Sequence, residues 1–256
     1  MTLEGVEGSG KTSQCRRLAD DLRGRGLEVV ETSEPDGVWL GTIVRGVFER
    51  AGTPPTPLAQ AFLFAAARHQ HVTELIRPAL ERGAVVICDR YVDATTAYQG
   101  HAQGLDVQTI AELNTLATGG LLPDLTVVLD VDPAVGMARI HSRPLDAFER
   151  MDLGFHRRVR EGYLEIARGD KSRVVVIDGA RPPDAVWADL RRAVEELLDR
   201  LSREPQPQAR RTEAEVSREP QPQASRTEVE VSREPQPQAR RTEVEDSRER
   251  SERRGR

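Results

Sequence analysis

Lysine is nearly absent from this sequence. Of 37 basic residues in 256, two are lysines, Lys11 and Lys171, and arginine carries every other fixed positive charge. Cysteine is as scarce: Cys15 and Cys88 have no metal-ligand spacing, and Cys88 follows an apolar run, so both read as buried thiols of a reducing compartment rather than as a disulfide or a metal site. No apolar run approaches the roughly 18 residues needed to span a bilayer, and no basic-then-apolar signal segment opens the chain. A soluble cytoplasmic protein without a membrane partner is expected. An excess of positive charge is missing too: before Ser202 the chain has 24 basic against 30 acidic residues, which excludes a general nucleic-acid binder.

Apolar residues are concentrated before Leu201, which places one core in residues 1–201. From Ser202 a 15-residue unit, SREPQPQARRTEAEV, recurs at Ser217 and Ser232 with few changes. Each unit has almost nothing to bury, and its paired prolines favour extended backbone, so residues 202–256 are expected to form a disordered tail of Arg, Glu, Pro and Gln. A spacer is the simpler reading of it, and a partner-binding tail the alternative.

Short apolar runs at Leu3–Glu4, Leu27–Glu31, Ala84–Cys88, Thr126–Leu129 and Arg173–Ile177 read as strands. Between them, helical spacing covers Cys15 to Leu22, Ala59–Arg82 with an interruption at Pro78, Val107–Thr118, Pro133–Arg139 and Leu153–Ala167. Alternating strands and helices predict an open, mostly parallel α/β sheet that binds ligands beyond the C-terminal ends of its strands.

One lysine stands where that architecture binds phosphate. Gly5, Val6, Glu7, Gly8, Ser9, Gly10, Lys11 and Thr12 match the pattern G-x-x-x-x-G-K-[ST], in which glycines let backbone N–H groups turn inward around phosphate oxygens at a helix N-terminus. Lys11 reaches the β- and γ-phosphates in such a loop, and Thr12 offers its hydroxyl to Mg²⁺. No N-K-x-D guanine-reading motif is present. Instead Asp89-Arg90-Tyr91 closes the Ala84–Cys88 strand, placing a carboxylate suited to Mg²⁺ and a guanidinium suited to an acceptor phosphate beside the loop.

These elements, with Leu63-Phe-Ala-Ala-Ala-Arg68, the stretch from Asp89 to Gly100, Leu122-Pro-Asp-Leu-Thr126, Leu129-Asp-Val-Asp-Pro133 and Phe155-His-Arg-Arg-Val-Arg-Glu-Gly-Tyr163, resemble the bacterial thymidylate kinases from Glu4 to about Gly179. The resemblance implies a P-loop nucleoside-monophosphate-kinase fold with a five-stranded parallel sheet flanked by helices, Mg²⁺-dependent phosphorylation of dTMP to dTDP by ATP, and a homodimer. It also implies roles for individual residues. Phe64 stacks on thymine and Arg68 donates to a base carbonyl; Thr95 and Gln99 hydrogen-bond the base; Tyr98 packs on the sugar and disfavours a 2′-hydroxyl. Arg45 joins Arg90 on the acceptor phosphate, and Glu34 stays near the site. Glu7 is expected to orient Arg45 or Arg90 and not to act as a general base, because the phosphate nucleophile is already anionic. Arg139, His141 and Arg143 fall in the mobile lid over ATP, with Arg143 as its catalytic arginine.

Three departures bear on activity. Only Thr2 and Leu3 precede Glu4, which leaves a short central strand; a start upstream of Met1 would account for it. The family's R-E-P-G-G is Ser33-Glu-Pro-Asp-Gly37, and its D-R-x-E is Asp146-Ala-Phe-Glu149, without the arginine at Ala147. A weakly active or inactive nucleotide-binding relative acting through its tail is therefore a second reading, and a P-loop kinase for another acceptor a third.

Overall fold

A computed structural model describes residues 1–50, 54–140 and 145–203. Five strands form one sheet in the order β2-β3-β1-β4-β5: β1 (Thr2–Glu4), β2 (Val29–Ser33), β3 (Val85–Asp89), β4 (Thr126–Asp130) and β5 (Val174–Asp178). Every neighbouring pair is parallel, as the alternation of elements predicts. Asp89, Asp130 and Asp178 are the last residues of their strands, so three carboxylates stand along the edge where a parallel sheet binds ligands.

Short as it is, β1 sits at the centre, pairing with β3 through Thr2 and Leu3 and with β4 through all three residues. Its flanks extend the ladder: the Met1 amino group donates to Val86 O at 2.9 Å, and Cys88 N to Met1 O at 3.1 Å. The three residues of β1 are buried, and Leu3 joins the main core. β2 begins two residues later than Leu27, because Gly26 takes φ +85° and Leu27 N turns back to Leu22 O, ending the first helix.

That helix, α1 (Lys11–Gly24), buries Cys15, Leu18 and Leu22 against one face of the sheet beside Val186, Leu190, Val194 and Leu197 of the last helix, α9 (Pro183–Arg203). Each such side chain contributes roughly 1.5–3 kcal/mol of transfer free energy. α9 carries helical structure two residues beyond Leu201, into the first repeat, and residues 204–256 lie outside the described residues. Cys15 and Cys88 are buried free thiols.

On the opposite face α8 (Leu153–Gly169) buries Phe155, Val159 and Tyr163. α2 (Trp39–Arg50) and α3 (Pro57–His71) pack on each other. Pro78 does not interrupt the helical rod. α3 continues through a π-helical turn, Val72–Ile76, into α4 (Arg77–Glu81), and the widened turn accommodates the N–H that proline lacks. A second π-helical stretch, Thr96–Ala102, follows α5 (Val92–Thr95), and α6 (Val107–Thr118) and α7 (Pro133–Ile140) complete the set. Among the described residues no helix is long and apolar enough to cross a membrane.

Candidate active site

The loop between β1 and α1 turns through three glycines with positive φ, Gly5 at 140°, Gly8 at 69° and Gly10 at 96°. It rests on α7: a Cβ on Gly8 would stand 2.0 Å from Gly136 O, and one on Gly136 2.2 Å from Glu7 O, so neither position has room for a side chain. Lys11 Nζ folds onto the loop, donating to Val6 O at 2.9 Å and Gly5 O at 3.1 Å. Burial, and then the charge of Arg90, bring its pKa down to about 8. Thr12 Oγ1 donates to Asp89 Oδ2 at 2.6 Å, which joins the loop to the end of β3. Arg139 is exposed on α7 and donates to Gly8 O and Gly179 O. Arg143 and His141 lie outside the described residues.

This loop lines a cavity of about 1680 Å³ that also includes Asp89, Arg139 and Arg181. A second cavity, of about 130 Å³, is lined by Phe48, Phe64, Arg68, Thr95, Tyr98 and Gln99 among others. Glu7, Glu34, Arg45 and Arg90 line both. The smaller cavity is below the roughly 300 Å³ of an ordinary ligand pocket, and aromatic packing is the reason. Phe64 stacks on Phe48 with centroids 5.1 Å apart and planes 4° from parallel, and Phe148 stands 5.2 Å from Phe48 and 5.7 Å from Tyr98. Ala147, where an arginine is missing, packs against the same cluster.

Arg90 stands at the junction with φ +71°, the one positive φ at a non-glycine among the described residues. Its Nη1 donates to Gly5 O and Tyr163 Oη, and Nη2 to Glu7 Oε1 at 3.1 Å, with the guanidinium 5.1 Å over the Tyr98 ring. Glu7 Oε1 also accepts from Tyr98, and Oε2 lies 3.2 Å from His156 Nδ1. Burial alone would raise the Glu7 pKa, but His156, Arg90 and Lys11 outweigh it and hold the carboxyl well below its usual range. Of the two arginines expected near it, Glu7 engages Arg90. Arg45 is held by Asp36.

Arg68 is almost fully buried, and its guanidinium donates to Glu34 Oε2, Thr95 Oγ1, Asn114 Oδ1 and Tyr91 O. A base carbonyl reaches it only by exchange with one of these acceptors. Gln99 is buried and donates to Gln60 Oε1 at 3.1 Å.

A thymidylate kinase family model matches residues 3–190. The chain belongs to the thymidylate kinase family. It is similar to the thymidylate kinase of Deinococcus radiodurans, 47% identical over 197 residues that cover 77% of this chain and 96% of that one. Similarity to the Geobacter sulfurreducens thymidylate kinase is also 47% over 211 residues, covering 79% and 98%. The crystal structure of thymidylate kinase from Ehrlichia chaffeensis superposes with a TM-score of 0.62 at 33% identity, over 76% of this chain and 96% of that one.

Within this member of the family, four site residues escape a reading by sequence alone. Glu4 is fully buried at the end of β1, accepting from Tyr91 N at 2.7 Å and Tyr163 Oη at 2.8 Å, and so fixes the turn that carries Arg90. Asn114 and His156 meet Arg68 and Glu7 from distant helices. Asp36 replaces a glycine of the family pattern. Asp36 left a signal as a departure from a motif, and His156 stands inside the Phe155–Tyr163 stretch with no role attached to it.

Proposed function

We propose that this chain transfers the γ-phosphoryl group of Mg-ATP to dTMP, giving ADP and dTDP. The observation that carries this reading is the shared wall of the two cavities. Arg45 and Arg90 line both, one cavity holds the phosphate loop, and the other is aromatic and suited to a flat base. Guanidinium groups at that junction suit an acceptor that already bears phosphate, which disfavours a bare nucleoside. An oxygen of the dTMP phosphate attacks the γ-phosphorus, the bond to the bridging β-oxygen breaks, and ADP leaves. Positioning and charge neutralisation supply most of such catalysis.

Lys11 is assigned to the transferring phosphate, and Arg45 and Arg90 to the acceptor phosphate. Glu7 orients Arg90. Phe64, Arg68, Thr95, Tyr98 and Gln99 are assigned to the nucleoside, with Glu34 holding Arg68, and Arg139 to the ATP side. Arg143 remains the proposed lid arginine. Thr12 and Asp89 fit a divalent cation: their hard oxygens meet at 2.6 Å in the larger cavity. Mg²⁺ commonly takes the rest of its ligands from phosphate and water. Mg²⁺ bound there neutralises charge on the phosphates.

A homodimer is proposed on an apolar face that nothing in the chain's described residues covers. Trp39 and Ile43 on α2 are 61% and 56% exposed, and Phe62 on the adjoining α3 is 57% exposed. Light scattering of the purified chain tests it, with Trp39→Glu expected to shift the mass to that of a monomer.

The reaction is tested by ADP release with Mg-ATP and dTMP, beside dUMP, dCMP and thymidine, with Lys11→Ala as the blank. Turnover that prefers dTMP and disappears in the blank supports the assignment. Turnover of thymidine alone overturns it.

A further inference from the structure

His156 is 1% exposed at the first turn of α8, 149 residues from Glu7 in sequence and 3.2 Å from it in space. Glu7 Oε2 and both ring nitrogens of His156 are buried without an aligned hydrogen bond. Three such atoms together carry a desolvation cost that folding alone has no reason to accept. Glu7 is the charged side chain set against the ring from the phosphate loop. From the segment before α8 the backbone carbonyls of Glu149 and Met151 also face it, and Phe155 packs edge-on at 5.5 Å. Behind Glu7 stand Arg90, Tyr98 and Lys11, on its other oxygen or in its field. A neutral imidazole has one N–H; an imidazolium has two, one for the carboxylate and one for a carbonyl.

We infer that His156, as an imidazolium, is a positioning residue: it holds Glu7 Oε2, leaves Oε1 to Arg90 and Tyr98, and so fixes the guanidinium that receives the acceptor phosphate. This rests on the proposed transfer to dTMP. Without the charged ring, the Glu7 carboxylate turns about its last bond and Arg90 loses its fixed partner. Burial disfavours the charged ring, but its contact with Glu7 raises the pKa of His156 above the usual value, so the charged state extends above that of a free imidazole.

The test is binding of dTMP by calorimetry from pH 7 to 9, for the full chain and for His156→Gln, with ATP affinity measured on the same samples. The window lies above the titration of the dTMP phosphate, and Lys11 and Glu4 titrate in both proteins. Wild-type affinity is expected to fall as pH rises and the ring loses its proton. His156→Gln is expected to bind dTMP about tenfold more weakly at pH 7, the effect of one pKa unit, and to lose the part of the slope that belongs to the ring. ATP affinity is expected to be unchanged, which shows the variant folded. Should the variant fail to fold, the double variant with Glu7→Gln, which removes the buried carboxylate, supplies the comparison with Glu7→Gln alone. The inference predicts that His156→Gln adds nothing to the loss in Glu7→Gln. A variant that keeps the wild-type pH slope and affinity, or losses that simply add in the double variant, overturns the role of His156 while leaving the kinase reading intact. A wild-type chain that binds no dTMP at any pH overturns that reading and this inference with it.

Discussion

Asp36, in the larger cavity, presents both carboxylate oxygens to Arg45, which lines both cavities, with Oδ1 at 2.6 Å from Nε and Oδ2 on Nη2. One edge of the guanidinium fork is thereby occupied and Nη1 remains. Both side chains are over a third exposed, so the pair contributes little to stability. With Arg45 proposed to hold the acceptor phosphate, that phosphate would share it with a fixed negative charge.

Asp36→Asn is therefore expected to lower KM for dTMP by up to about fivefold with kcat unchanged, the upper end of an exposed ion pair's roughly 0.2–1 kcal/mol. Arg45→Ala is expected to raise the same KM at least tenfold. Initial rates at varied dTMP decide between competition and support: if Asp36→Asn raised KM, the carboxylate would be orienting Arg45 for its ligand.

Gly136 has no freedom to become alanine, since its added Cβ would stand 2.2 Å from Glu7 O on the phosphate loop. Gly136→Ala is expected to push the loop from α7, raising KM for ATP and lowering stability by about 1–3 kcal/mol, the usual cost of overpacking. Steady-state kinetics and a urea melt check it. An unchanged KM for ATP would mean that the loop holds its shape without α7.

Much of this was legible along the chain because its signals are local. The glycine loop, its lysine and the apolar runs of β3 to β5 each lie within a few residues, and their places were read to within one or two positions. The strand ends were missed where a polar aspartate closes an apolar run, as at Asp130 and Asp178. α9 shows the spacing of a buried helix face at Val186, Leu190, Val194 and Leu197, a signal present in the sequence as well. Glu7 with His156, and Arg68 with Asn114, are different in kind: the partners come from separate elements, and no local pattern announces a meeting made by the fold.

Arg68 and Glu34 form a buried pair, with side chains 2% and 7% exposed and Nε 2.8 Å from Oε2. Arg68→Met alone strands the Glu34 carboxylate with His71 Nδ1, 3.2 Å away, as its remaining side-chain partner. It is expected to lose about 3–5 kcal/mol of stability. Combining it with Glu34→Gln is expected to recover a large part of that loss, because removing both charges removes the stranded one. Urea midpoints of the two single variants and the double give the coupling, and purely additive losses would contradict it.

The repeats after Arg203 contain almost nothing to bury, so the folded kinase unit is proposed to do without them. A chain ending at Arg203 is expected to keep its kcat for dTMP and its melting temperature within about 2 °C, as no core burial is lost. A fall in either would assign residues 204–256 a part in the enzyme itself.

Glu4 supplies the clearest pH dependence of stability. Burial first, and the nearby Asp93 second, raise its pKa to about 8, against the help that Arg90, Tyr163 and Tyr91 N–H give the ionised form. In the unfolded chain the carboxyl ionises near the ordinary glutamate value. Below that value both states hold the proton and Glu4 adds no slope. From there to about pH 8 the folded chain keeps a proton that the unfolded chain has released, so stability declines as pH rises, by at most about 1.4 kcal/mol per pH unit from this group. Glu4→Gln cannot ionise, and its amide oxygen still accepts from Tyr91 N. The difference in unfolding free energy between wild type and Glu4→Gln is expected to shift in favour of the variant from pH 5 to pH 8 and to level off above it. Urea denaturation of both proteins across that range measures it, with the histidines cancelling in the difference. A difference independent of pH would place the ionised carboxylate in the folded protein throughout, held by Arg90 and the two tyrosines.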